Sequence, residues 1–185
     1  MDTTSDLRVR DASDADAAAI AAIGADGFAD SYAEILTRAV IDAVIEQTYS
    51  CSAVAGCIGR CIAADNAEFL VAERGGRIAG FLHFDSEGRE PELHRIYVDR
   101  TQIGGGVGSQ LMAELRRRLD ERVAYILMVL KPNTAAIRFY ERHGLRIERE
   151  TDAVAHYSEN MGFSSPDTRP VPALIMRYRP RRLQG

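Results

Sequence analysis

Gly104-Gly-Gly-Val-Gly108 places four glycines in five residues, between a β-rich run and an amphipathic helical run. Glycines let main chain come close to a ligand, and the first N–H groups of a helix have no intrahelical partner. Together with the helix dipole, such a segment could hold an anion such as phosphate. The alternative is a flexible glycine turn. It is not a P-loop, because no Lys-Ser/Thr follows. It is not a Rossmann fingerprint either: counted from Gly104, the third glycine would fall at Ser109. Cys51, Cys57 and Cys61 form a second group. Cys57 and Cys61 share a helix face at four-residue spacing and could ligate a metal, but no His or further Cys is near in sequence to complete four ligands. The expectation is no metal, with reduced thiols packing as small apolar side chains.

The elements around these residues follow from periodicity. Leu7-Arg-Val-Arg10 alternates as a first strand. Ser13 and Asp16 have capping-box spacing and open a helix expected to run to about Phe28. Ile41, Val44, Ile45 and Thr48 predict a second helix, and the Ala- and Cys-rich stretch 50–67 a third. Gly75-Gly76 separates two β-rich runs, 69–74 and 77–84, as a tight hairpin. In the fourth strand, 92–98, apolar residues fall at 93, 96 and 98, so alternation breaks near His94-Arg95 as a β-bulge would break it. Val107, Leu111, Leu115 and Leu119 mark an amphipathic helix after the glycines. The unbroken apolar run 124–130 predicts a fifth strand buried on both faces. Asn133 caps a helix ended by Arg142-His143-Gly144. Strands at 145–150 and 173–179 flank a Pro- and Gly-containing stretch, 152–172, read as a long loop. One domain over 1–185, loose at both ends, is expected, of α/β or α+β class.

A second motif, Asn133-Thr-Ala-Ala136-Ile-Arg-Phe139-Tyr140-Glu-Arg-His-Gly144, joins the glycine cluster. With the strand His94–Val98 before the glycines and the strand Tyr125–Leu130 between the motifs, the ordered set resembles the GCN5-related N-acetyltransferases over 92–147, within a resemblance that extends from residue 7 to the end. The resemblance implies a mixed, mostly antiparallel sheet with strands 4 and 5 splayed apart and helices flanking it. It implies acetyl-coenzyme A as co-substrate. Ile96, Tyr97 and Val98 would hydrogen-bond the pantetheine arm through their backbone, like an added strand. The segment Ile103, Gly104, Gly105, Gly106, Val107, Gly108 and Ser109 would meet the pyrophosphate, with amides 104–109 holding it. Asn133, Ala136 and Phe139 would approach the coenzyme from the second motif. Tyr140 would be general acid to the leaving thiolate, since a phenol stays protonated at neutral pH; otherwise it is a packing aromatic beside Phe139. The chain departs from the family at Ile103, where Gln or Arg is common, and at Gly105, where a basic or polar residue is frequent.

Under that resemblance the acceptor amine must lose a proton, and Glu92 and His94 are the candidates, directly or through a water. Against these roles, Glu92 reads as an exposed strand-end carboxylate and His94 as a hydrogen-bonded sheet residue. His83 is a weaker candidate, His143 reads as a cation at a helix C-terminus, and His156 is uninformative. Acceptor specificity would come from Phe28, Ser31, Tyr32 and Glu34 and from the loop carrying Tyr157 and Glu159. The C-terminal part faintly resembles small-amine and polyamine acetyltransferases, which names no substrate. The expected acceptor is a small-molecule amine, with a protein N-terminus or lysine as alternative, and a non-catalytic acyl-CoA-binding sensor as the alternative of another class.

Composition is that of a soluble globular protein: 185 residues, 46% hydrophobic, 27% charged and no Trp. A net charge of -4 argues against nucleic acid. The polar N-terminus does not read as a signal peptide, and no apolar run nears the length of a membrane span. A cytoplasmic protein is expected, without membrane or nucleic-acid partners, and with a homodimer left open.

Overall fold

Ser13 and Asp16 make the reciprocal contacts that their spacing predicts: the Asp16 carboxylate accepts from the Ser13 backbone N–H at 2.8 Å and hydroxyl at 2.9 Å. Arg10 adds a bidentate pair to the same carboxylate at 2.8 and 2.9 Å, which lowers the Asp16 pKa to about 2. That knot ties the first strand, β1 (Leu7–Asp11), to the first helix, α1 (Ala17–Tyr32). The computed structural model describes residues 7–119, 123–162, 164–167 and 169–180; the ends expected to be loose lie largely outside them.

α1 runs one turn beyond the expected stop at Phe28. The reason is local: residues 29–31 hold no breaker, and Phe28 and Tyr32, four apart, meet edge to face at 4.7 Å. α2 (Arg38–Tyr49) and α3 (Cys51–Ala63) follow, capped by the hydroxyls of Thr37 and Ser50. β2 (Ala67–Arg74) and β3 (Arg77–Asp85) form the hairpin, with Gly75 at φ 57° and Gly76 at φ 74° supplying the turn. Then come β4 (Glu92–Val98), α4 (Val107–Arg118), β5 (Tyr125–Leu130), α5 (Thr134–Arg142), β6 (Leu145–Asp152), α6 (Ala153–Met161) and β7 (Pro172–Tyr178).

α6 corrects the expected loop at 152–172. Prolines 166, 170 and 172 drew that reading, yet all lie beyond Gly162, which ends the helix at φ 64°. Asp152 starts it, its carboxylate accepting from the N–H groups of Val154 at 3.1 Å and Val171 at 2.8 Å.

The seven strands order as β1-β2-β3-β4-β5-β7-β6, antiparallel except at β4/β5. The mixed sheet flanked by helices is the architecture that the resemblance implied. Each face of the sheet has its own core, as period two requires. Phe69, Val71 and Phe81 pack toward α1 and α3, while Leu70, Leu82 and Phe84 pack toward α4. No helix among the described residues is long and apolar enough to cross a membrane.

Candidate functional site

The break in alternation within β4 is a bulge. His83 pairs with Arg95 and Phe84 with Leu93, so His94 is the extra residue. Leu93, Ile96 and Val98 therefore reach the α4 core, while His94 stacks on His83 at 4.9 Å and Arg95 reaches Cys57 on α3. Beyond the bulge β4 leaves its neighbour: the two strands pair only at Glu92 and Ile126, whereas β5 pairs with β7 along its whole length. The result is a cleft of about 700 Å3 into which the β5-facing edge of Ile96, Tyr97 and Val98 looks.

The glycine turn stands at one end of this cleft. Gly104 (φ 83°) and Gly106 (φ 81°) occupy left-handed conformations, and Gly106 caps α4. Arg74, reaching over from β2, ties the turn down by donating to Gln102 Oε1 at 2.7 Å and to the Gly105 carbonyl at 2.9 Å. Sequence reasoning missed Arg74; its place at the end of a hairpin strand carries no signal of this contact. Gly104, Gly106, Val107, Gly108 and Ser109 line the cleft, as does Ile103, which is 73% exposed. Of the cations that line the same cleft, Arg142 stands near the turn, while Arg100 is paired with Asp30 at 2.5 Å.

α5 brings Asn133, Ala136, Phe139 and Tyr140 to the wall opposite. The Asn133 side chain caps the helix by accepting from Ala136 N at 3.1 Å. Phe139 stands so close to α4 that a Cβ added at Gly108 would meet its ring at 3.1 Å. Burial raises the Tyr140 pKa above the ordinary phenol value, with Tyr32, Tyr49 and Tyr125 nearby adding to it, so the hydroxyl is protonated. His143 is not the dipole-complementing cation expected. Burial and the charge of Arg116 lower its pKa, and its Nε2 lies 3.2 Å from Ser109 Oγ, bridging α5 to α4.

Glu92 and His94 part company. Glu92 is 7% exposed and does not line the cleft, against the expectation of an exposed strand end. Its carboxylate lies 2.7 Å from Nε2 of His156, the histidine that sequence reasoning had passed over because the helix carrying it went unread. His94 lines the cleft; its Nε2 lies 2.9 Å from Asp85 Oδ2, and its Nδ1 lies 4.0 Å from Glu92. Burial is the main influence opposing ionisation of Asp85, yet the two histidines hold its pKa below the ordinary value.

Of the three cysteines expected to pack as small apolar side chains, Cys57 and Cys61 are buried and Cys51 is exposed. His83 lies beside Cys57 and Cys61, their ligand atoms within 4.8 Å of one another, a grouping that a separation of 22 or more positions hid from the sequence. An Arg95 N–H lies 3.4 Å from Cys57 Sγ and 3.1 Å from His83 Nδ1, so a divalent ion there would meet a guanidinium already in place. A hydrogen bond from Cys61, then His83 and Arg95, lowers the Cys57 pKa, and burial lowers that of His83.

A second hollow, about 250 Å3, lies between α1, α2, α6 and the residues Asp167, Arg169, Pro170 and Val171. Phe28 lines it, and Tyr32 and Tyr157 line both it and the cleft, so the two spaces share a wall. Ser31 lines the cleft; Glu34 and Glu159 are exposed and line neither space.

Residues 31–145 match the family model described as "Acetyltransferase (GNAT) family". Among solved structures, an N-acetyltransferase PaiA from Thermoplasma acidophilum, in complex with coenzyme A, is similar at TM-score 0.76 and 20% identity, covering 94% of this chain and 98% of that one. A ribosomal-protein-alanine N-acetyltransferase from Brucella melitensis is similar at TM-score 0.70 and 23% identity, covering 93% and 99%. A GCN5-related N-acetyltransferase from Rhodopseudomonas palustris follows at TM-score 0.71 and 17% identity, covering 97% and 98%. At these identities the likeness is one of fold. No curated protein sequence gives a significant match.

Proposed function

Since the chain belongs to the acetyltransferase (GNAT) family, we propose that it moves an acetyl group from acetyl-coenzyme A to a primary amine on a small molecule, with Tyr140 as general acid. The observation that carries this reading is the parting of β4 from β5 beyond Glu92, with a glycine-turned helix N-terminus at one end and Tyr140 in the wall. The coenzyme seen with the Thermoplasma protein supports it.

In this reading the pantetheine arm pairs with the open edge of residues 96–98, as an added strand would. The pyrophosphate meets amides of Gly104 and of Gly106 through Ser109, that of Gly105 being given to the Gln102 carbonyl at 3.0 Å, and Arg142 supplies positive charge absent from positions 103 and 105. The amine enters from the second hollow, past Tyr32 and Tyr157, and attacks the thioester carbonyl. His94, backed by Asp85, takes the ammonium proton; Glu92 stands behind it and holds α6 through His156. The carbon–sulfur bond then breaks, and the Tyr140 hydroxyl gives its proton to the departing thiolate. α6 stands over the acceptor side, which favours a small molecule over a peptide lying across the protein.

The test is thiol release from acetyl-coenzyme A with an amine panel, in wild type and Tyr140→Phe. General acid catalysis is worth roughly 100- to 10,000-fold, so the variant should lose at least about 100-fold in kcat while binding coenzyme as before. Equal rates across the pH range would remove Tyr140 from the mechanism. No heat of coenzyme binding at millimolar concentration would remove the reaction itself.

A further inference from the structure

We infer that the second hollow is the acceptor site for a primary amine carried on an apolar body, aryl or branched alkyl, joined through a short linker, and that it selects against polyamines and amino sugars. This rests on the acetyl-transfer reading and narrows it.

The wall of the hollow is the argument. Leu36, Val40, Val44, Leu130 and Val154 line it, from three elements and a connecting segment, with Phe28 beneath. Among its described residues only Asp167 and Arg169 are ionic, and they neutralise each other, with guanidinium nitrogens 2.6 and 2.9 Å from the carboxylate. A polyamine needs a carboxylate for its second ammonium, because an unpaired buried charge is heavily penalised. An amino sugar needs many donors and acceptors. The Thr37 hydroxyl oxygen accepts from Val40 N at 3.4 Å as the cap of α2.

Size and connection agree. An apolar cavity of about 150 Å3 accepts benzene; at about 250 Å3 this one has room for a ring and a short chain. Tyr32 and Tyr157 stand between it and the cleft that Tyr140 lines, so the chain would pass their rings to bring the amine there. The apolar body stays behind, and only the nitrogen has to enter the polar space.

The experiment compares 3-phenylpropylamine, its one- and two-carbon-linker homologues, spermidine and kanamycin, with acetyl transfer and calorimetric amine binding as parallel readouts. 3-Phenylpropylamine should exceed spermidine in kcat/KM by about tenfold or more, and each methylene removed from its linker should cost about fourfold. Val44→Phe, which fills the hollow, should abolish 3-phenylpropylamine binding and leave coenzyme binding intact. Leu36→Ala, which widens it, should move the preference to longer bodies and serves alone if Val44→Phe does not fold. Acetyl transfer best with spermidine or kanamycin, or 3-phenylpropylamine binding indifferent to both variants, overturns the assignment while the family reaction stands. Binding of 3-phenylpropylamine that Val44→Phe abolishes, with no acetyl transfer to any amine, upholds the hollow and overturns the reaction.

Discussion

Gly106→Ala is the sharpest test of the glycine turn. Gly106 sits at φ 81°, ψ -2°, where an L side chain costs about 1–2 kcal/mol. A Cβ there would touch nothing within 4 Å, so the penalty is purely conformational. It can be met in two ways: the fold keeps the turn and loses stability, or the turn relaxes and loses its arrangement of amides. Residues 103–106 are exposed, whereas Val107 and Leu111 behind them are fully buried, so the turn should yield before the helix does. Coenzyme affinity should then fall about 5- to 30-fold, the equivalent of 1–2 kcal/mol. Calorimetry gives the affinity and a thermal melt gives the stability. Were the strain borne by the fold instead, the melting temperature would drop by about 2–8 °C with affinity unchanged. If neither quantity moves, the positive φ carries no strain and the reasoning fails.

Other expectations follow from the same structure. Gly59→Ala, in the exposed interior of α3 with no Cβ neighbour within 4 Å, should stabilise by about 0.5–1 kcal/mol, read as a higher melting temperature. Gly27→Ala should destabilise by about 1–3 kcal/mol in denaturant unfolding, because its Cβ would lie 2.5 Å from Tyr97 Cδ1 and force that ring to move. Asp16→Asn should cost about 2 kcal/mol at neutral pH, from a pKa lowered from 3.8 to about 2. The carboxylate is depressed in the folded state, so its contribution is complete above pH 3.8 and disappears as pH falls through about 2. A wild-type-to-variant gap that is no narrower in acid than at neutrality would contradict this.

What could be read from the sequence was whatever local chemistry dictates. The capping box at Ser13 and Asp16, the Gly75-Gly76 turn, the Asn133 cap and the β4 bulge each depend on residues a few positions apart, and each stands where expected. α6 was missed because prolines beyond Gly162 outweighed a plain cap-to-glycine pattern at 152–162. The remaining omissions are contacts across the chain. Glu92 and His156 are 64 residues apart, Cys57 and His83 are 26 apart, and Arg74 and Gly105 are 31 apart. No periodicity encodes such pairs, because they arise from how the sheet stacks its strands. The second hollow is of this kind too: four separate stretches build it, and none is distinctive alone.

The supernumerary residue in β4 is spare as far as register is concerned, and serves by where it puts its side chain. Replacing His94 changes one side chain. Deleting it would leave Arg95 against His83, Leu93 against Phe84 and Glu92 against Asp85 as consecutive pairs of a regular ladder, so Leu93 would stay in the α4 core; what would go is the imidazole that lines the cleft. Homologous chains that lack this one residue should therefore keep the pairing of β3 with β4, and lose only the ring held by Asp85.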